Sequence, residues 1–128
     1  MIVLGNFENP NIKITPTSSN NSEGWFQAAV EIKVDCFFGK ISVYLENIDL
    51  LRFHSQLIKL DKTLKGKAVL IPTEEQFTLI LTGDGLGHIN VTGHAYELAS
   101  HGSCLKFDFE LDQTYLPDFI DSIKSSLA

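Results

Sequence analysis

One stretch constrains the fold of this chain more than any other. In residues 104–112 the apolar Leu105, Phe107, Phe109 and Leu111 alternate without a break with Lys106, Asp108, Glu110 and Asp112. A strict period of two puts one set against a core and the other in water, the pattern of a half-buried strand. Burying those four side chains contributes at most about 1.5–3 kcal/mol each, which makes the segment important to stability. The alternation recurs in residues 25–35, with Phe26, Ala28, Val30, Ile32 and Val34 inward and Gln27, Glu31, Lys33 and Asp35 outward. It recurs in 40–46, with Ile41, Val43 and Leu45 inward. In 88–98, Ile89, Val91, Gly93 and Ala95 point inward, and His88, Asn90, Thr92, His94 and Tyr96 outward. Shorter strands are expected over 11–15, ending at Pro16, over 67–71, ending at Pro72, and through Phe77, Leu79 and Leu81. Phe38-Gly39, Gly83-Asp84-Gly85-Leu86-Gly87 and His101-Gly102-Ser103 read as turns, and the polar segment 17–24 as a flexible loop.

The period changes twice. Leu50, Phe53, Leu57, Leu60 and Leu64 are spaced three and four apart, with Leu51 and Ile58 widening the stripe, which predicts an amphipathic helix capped by Asn47 or Asp49 and ended by Gly66. Leu116, Phe119, Ile120, Ile123 and Leu127 predict a second, with Thr114 as cap and Pro117 in its first turn. The links between strands are too short for parallel crossovers. The expected fold is therefore α+β: a mostly antiparallel, twisted sheet of about seven strands, with two helices on one face or end, in a single domain over residues 1–128. No internal repeat is visible.

The chain has 128 residues, 44% hydrophobic and 20% charged, with a net charge of −6. That is enough apolar surface for one core and the wrong sign for a general nucleic-acid binder. Lys59, Lys62, Lys65 and Lys67 cluster, but at a helix end and the turn after it, where lysines suit the helix dipole. The apolar start is too short for a signal peptide and no run approaches the ~20 apolar residues of a membrane span, so a cytoplasmic protein without a membrane partner is expected. Cys36 and Cys104 then read as reduced thiols packed in strands. The matches at Asn20-Asn21-Ser22 and Asn90-Val91-Thr92 are not glycosylation sites in that compartment.

Few residues point to catalysis. The glycine-rich turn joins two strands and lacks the Gly-Lys-Ser/Thr ending of a phosphate loop. Among His88, His94 and His101, the first two share a strand face but lie about 20 Å apart at ~3.3 Å per residue, too far to share an ion. No metal and no cofactor are expected. There is no nucleophile elbow, and Cys104 facing His94 across neighbouring strands would lack a third orienting group. Asp108, Glu110 and Asp112 form a row spaced near ~7 Å. The row reads as a solvated face, as a crowded set that raises one carboxyl for acid–base work, or as an acidic stripe that meets a basic protein surface beside His94 and Tyr96. The candidate protein-binding set is thus Asp108, Glu110, Asp112, His94 and Tyr96. Two alternatives stand beside it. One is a small-ligand-binding or hydrolytic pocket between sheet and helices, lined by His94, Tyr96, Asp108 and Glu110. The other is a homo-oligomer formed through an exposed edge strand.

Three segments carry a resemblance: Leu50-Leu51-Arg52-Phe53-His54-Ser55-Gln56-Leu57, Leu64-Lys65-Gly66-Lys67-Ala68-Val69-Leu70, and the ending Phe107-Asp108-Phe109-Glu110-Leu111-Asp112-Gln113-Thr114-Tyr115-Leu116. Over most of residues 25–125 the chain resembles the WapI-type immunity proteins of bacterial polymorphic toxin systems. The resemblance implies a cytoplasmic protein that binds and neutralises a cognate protein toxin, often a nuclease. It names no site residues.

Overall fold

The alternating segments form strands, but among the described residues there are eight of them, shared between two sheets. The computed structural model describes residues 1–6, 8–98 and 101–127. The first sheet is an antiparallel meander of β1 (Ile2–Gly5), β2 (Asn11–Pro16), β3 (Trp25–Val34) and β4 (Phe37–Glu46), followed by α1 (Asn47–Thr63). The second repeats the order: β5 (Lys65–Leu70), β6 (Phe77–Asp84), β7 (His88–Leu98) and β8 (His101–Asp112), then a 3-10 turn (Gln113–Tyr115) and α2 (Leu116–Ser126). The expectation of one sheet of about seven strands is corrected on both counts. The extra strand is β1, four residues long and too short to show a period, paired with β2 from Ile2↔Ile14 to Gly5↔Asn11. The division falls at α1, which separates β4 from β5 and leaves each at the end of its own sheet.

Both inner faces and both helices feed one core. Ile12, Val30 and Leu45 come from the first sheet, Leu79, Val91 and Phe109 from the second, and Phe53, Leu57, Phe119 and Ile123 from the helices. α1 packs along β5 and touches β4, while α2 packs along β1. The helices meet where the Phe53 ring stands edge-on to Phe119, with centroids 5.8 Å apart. Leu51 and Ile58 lie outside the buried stripe of α1, which is limited to Leu50, Phe53, Leu57 and Leu60.

Several local expectations also change. β3 and β4 turn at Asp35-Cys36, since Val34 pairs with Phe37. Asp35 sits at φ 53°, a conformation that glycine usually supplies. Here Asn9 holds it, its Oδ1 accepting from the Asp35 N–H at 2.9 Å and its Nδ2 donating to the Asp35 carbonyl at 3.0 Å. Gly39 serves a close approach instead of a turn, because a Cβ there would meet Leu105 Cδ2 of β8 at 3.0 Å. Neither Asn47 nor Asp49 caps α1; Glu46 holds the N-cap position without a side-chain bond. Burial, then Glu46, pushes the Asp49 carboxyl up, against the pull of Arg52. The helix ends on Leu64 at φ 58°, its N–H bonded to the Leu60 carbonyl, and Gly66 already lies in β5. His101-Gly102-Ser103 is strand, with Leu98 paired to His101. Cys36 and Cys104 are exposed thiols and do not pack as core residues. Segment 17–24 carries its own bonds, Asn21 Oδ1 accepting from the N–H groups of Glu23 and Trp25.

Because Phe53 joins α1, α2 and the core, Phe53→Ala is expected to lower the unfolding free energy by about 3–5 kcal/mol. Urea denaturation followed by far-UV circular dichroism measures it. A loss below about 1 kcal/mol is the value expected of a surface site.

Candidate functional site

The outer face of the second sheet holds all five candidate residues, and strand register decides whom each one meets. Across β7 and β8, Asp112 lies opposite His88, Glu110 opposite Asn90, Asp108 opposite Thr92, Lys106 opposite His94 and Cys104 opposite Tyr96. The acidic row therefore forms as expected, with Asp108, Glu110 and Asp112 all exposed. His94 and Tyr96 share its face but lie beyond Lys106, so the five do not converge on one point. Cys104 does not face His94.

His94 is also occupied. Its Nε2 lies 3.1 Å from the Glu75 carbonyl oxygen and its Nδ1 lies 3.2 Å from Thr78 Oγ1. A carbonyl only accepts, so Nε2 carries a proton and donates it to Glu75. The ring stands edge-on to Tyr96 at 5.1 Å. This half-buried pair forms a fixed aromatic end to the face.

Asp112 has a second task. Its Oδ2 accepts the Thr114 N–H at 3.0 Å, which caps the 3-10 turn leading into α2. Thr114 does not cap α2, whose N-cap position is Tyr115 without a side-chain bond; Asp112 caps the 3-10 turn before it. The bond to the Thr114 backbone, then that to its side chain, holds the Asp112 carboxyl below its ordinary value, with His88 adding a smaller pull. One of the three readings of the row has crowding raise a carboxyl; at Asp112 hydrogen bonding wins in the other direction.

A further polar contact on this face joins Asp84 and His88 at the β6–β7 hairpin. His88 Nδ1 lies 2.8 Å from Asp84 Oδ2, while Asp84 Oδ1 accepts the Leu86 N–H at 2.7 Å and the His88 N–H at 3.1 Å. The Leu86 bond is the main cause of the lowered Asp84 pKa. The Asp84 hydrogen bond, then the charges of Asp84 and Glu110, push His88 up. On the far side of the sheet Lys65 lies opposite Asp84 and Lys67 opposite Thr82. The lysine cluster is thus divided, with Lys65 and Lys67 on β5 and Lys59 and Lys62 on α1. Charge runs across the face from lysines on β5 to carboxylates on β8.

A groove of about 430 Å³ lies between the start of β4, the end of β7 and the start of β8. Phe37, Phe38, Ile41, Ala95 and Leu105 give it an apolar lining, with Lys40 and Glu97 among its polar residues. None of His94, Tyr96, Asp108 or Glu110 lines this groove. Among the described residues, no group of three or more His, Cys, Asp or Glu side chains is placed to hold a metal ion. Among them, too, no helix is long and apolar enough to cross a membrane.

Comparison with known proteins settles the family. The immunity protein WapI-like family model matches residues 2–128. The chain belongs to the WapI-like immunity protein family. Its function is accordingly that of an immunity protein, which neutralises a toxin. No curated protein matches this WapI-like sequence. Among solved structures, a chain of the CdiA-CT/CdiI toxin and immunity complex from Enterobacter cloacae is similar in fold, with a TM-score of 0.52 and 14% sequence identity. The match covers 89% of the WapI-like chain and 99% of that chain.

The sequence reading of this WapI-like protein overlooked the Asp84–His88 pair. Its signal was present as an Asp and a His four apart, flanking a glycine-rich turn that folds their side chains together. The linkage has a definite sign. The contribution of His88 is full below its ordinary value of 6.5 and is lost as pH rises through its raised value. That of Asp84 is full above 3.8 and is lost as pH falls through its lowered value. Titration of the His88 ring protons by NMR is expected to give a midpoint above 6.5. Asp84→Asn, which keeps an oxygen for the two backbone N–H groups, should bring that midpoint down; an unchanged midpoint would show that the pair does not form in solution.

Proposed function

We infer that this immunity protein neutralises its cognate toxin by forming a stoichiometric complex with it, as a single cytoplasmic binding domain and not as an enzyme. The family match over residues 2–128 carries the reading. The similar Enterobacter cloacae structure is of a toxin and immunity complex, and an assembly of that kind is inferred for this chain. The acidic end of the second sheet is the inferred docking face, with Asp108 and Glu110 as its outward charges. Asp112 is shared with the cap, and His94 and Tyr96 form an aromatic border.

The net charge of −6 supports this choice. A nuclease toxin handles a polyanion and so presents a basic surface, which exposed carboxylates on a rigid strand attract and orient. The same charge opposes direct nucleic-acid binding.

Purification of the chain with the toxin domain encoded beside it should yield a one-to-one complex. Asp108→Lys or Glu110→Lys is expected to slow association about tenfold at low salt, with a smaller change in dissociation. Surface plasmon resonance separates the two rates. Absence of any association at micromolar concentration would remove the reading.

A further inference from the structure

Two open four-stranded sheets have four edge strands: β1, β4, β5 and β8. The backbone groups that face outward on each follow from register, because hydrogen-bonded and non-bonded pairs alternate in an antiparallel ladder. On β1 the bond from the Asn6 N–H to the Pro10 carbonyl fixes the phase, so Val3 faces the edge. Its N–H donates to Ser122 Oγ of α2 at 3.2 Å. On β5 the bond from the Gly85 N–H to the Leu64 carbonyl fixes the phase, so Val69 faces the edge. Its N–H donates to Gln56 Oε1 of α1 at 2.7 Å. On β4 the bond from the Asn47 N–H to the Gly24 carbonyl makes Ser42 an edge residue, and its carbonyl accepts from Gln76 Nε2 at 3.1 Å. Each of these three edges is met by a side chain from a neighbouring element.

β8 is different. The bond from the Gln113 N–H to the Gly87 carbonyl sets Leu111, Phe109, Phe107 and Leu105 in bonded pairs with β7. The bond from the Tyr96 N–H to the Gln76 carbonyl agrees, since it turns the alternate residues of β7 toward β6. The backbone groups of Lys106, Asp108 and Glu110 therefore face the outer edge. Among the described residues, no side chain meets them and no element other than β7 packs along the strand. A row of unpaired N–H and C=O groups on a flat strand is a template for a further strand.

We propose that the toxin docks by adding an extended segment to this edge, antiparallel or parallel to β8 at Lys106–Glu110, with basic residues on the outer face and apolar residues on the inner one. This rests on the immunity reading and specifies how the complex is made. Side chains of the added strand next to Asp108 and Glu110 lie on the acidic face, where Lys or Arg is favoured and like charge is not. Alternate side chains continue the inner face of Phe107 and Phe109, and at the start of β8 one of them reaches the groove beside Phe38 and Leu105. Against a second copy stand the net charge of −6 on each chain and, in the antiparallel register centred on Phe109, the opposition of Asp108 to Glu110.

Hydrogen exchange, read residue by residue by NMR, tests the proposal on unaltered protein, alone and in the purified complex with the toxin domain encoded beside it. In the complex the amides of Lys106, Asp108 and Glu110 are expected to slow by about a hundredfold or more, while those of Phe107, Phe109 and Leu111 are slow in both samples. If the complex is intact and those three amides exchange as fast as in the chain alone, the edge is not used, although toxin binding stands. If no complex forms, both fall. Protection that grows with concentration in the chain alone assigns the edge to a second copy and overturns the proposal. As a second measure, Asp108→Pro deletes an edge N–H without touching a bond to β7, and Asp108→Asn deletes only the charge. The proline variant should bind about tenfold more weakly than the asparagine variant; equal affinities for a folded pair count against strand addition.

Discussion

Backbone groups at the margin of an open sheet must find partners, and in this protein that requirement organises the other layers. Ser122 of α2 reaches β1, Gln56 of α1 reaches β5, and Gln76 reaches β4. The helices that supply two of these bonds also bring Phe53 and Phe119 together over the core. At β1 and β5, closing the core and meeting the edge are thus the same event, achieved by placing one helix after each meander. β8 lies outside that scheme, and its outward residues Lys106, Asp108 and Glu110 are charged.

The parts of the fold that could be read from sequence are those governed by a local period. Alternation over residues 25–34, 88–98 and 104–112 separates Phe26, Val30, Val91, Phe107 and Phe109 from their outward neighbours, and the structure buries each of them. Three-and-four spacing does the same for Phe53, Leu57, Phe119 and Ile123. What could not be read depends on distant partners. β1 is too short to carry a period and exists because β2 and α2 flank it. The division into two sheets is a matter of long-range pairing, on which residue pattern is silent. So is the matching order of the two halves, four strands and then a helix, which no sequence repeat announces. Turn chemistry failed at Gly39, where the missing side chain admits Leu105, while Asp35 takes the positive φ with the help of Asn9.

The candidate face was legible to a similar degree. Parity placed Asp108, Glu110 and Asp112 together and outward. Register, which parity does not fix, set His94 opposite Lys106 and left it bonded to Thr78 and Glu75. Asp112 illustrates a further limit: a carboxylate that looks like part of a stripe is engaged by the backbone two residues on.

The distribution of charge on that surface has a kinetic consequence. With Lys65 and Lys67 at one margin of the second sheet and Asp108 and Glu110 at the other, the face carries a lateral dipole. In the field of a cationic body such a dipole experiences a torque before any atoms touch, which turns the carboxylate margin forward. The rotational search that ordinarily holds association to about 10⁵–10⁷ M⁻¹s⁻¹ is shortened, and added salt lengthens it again.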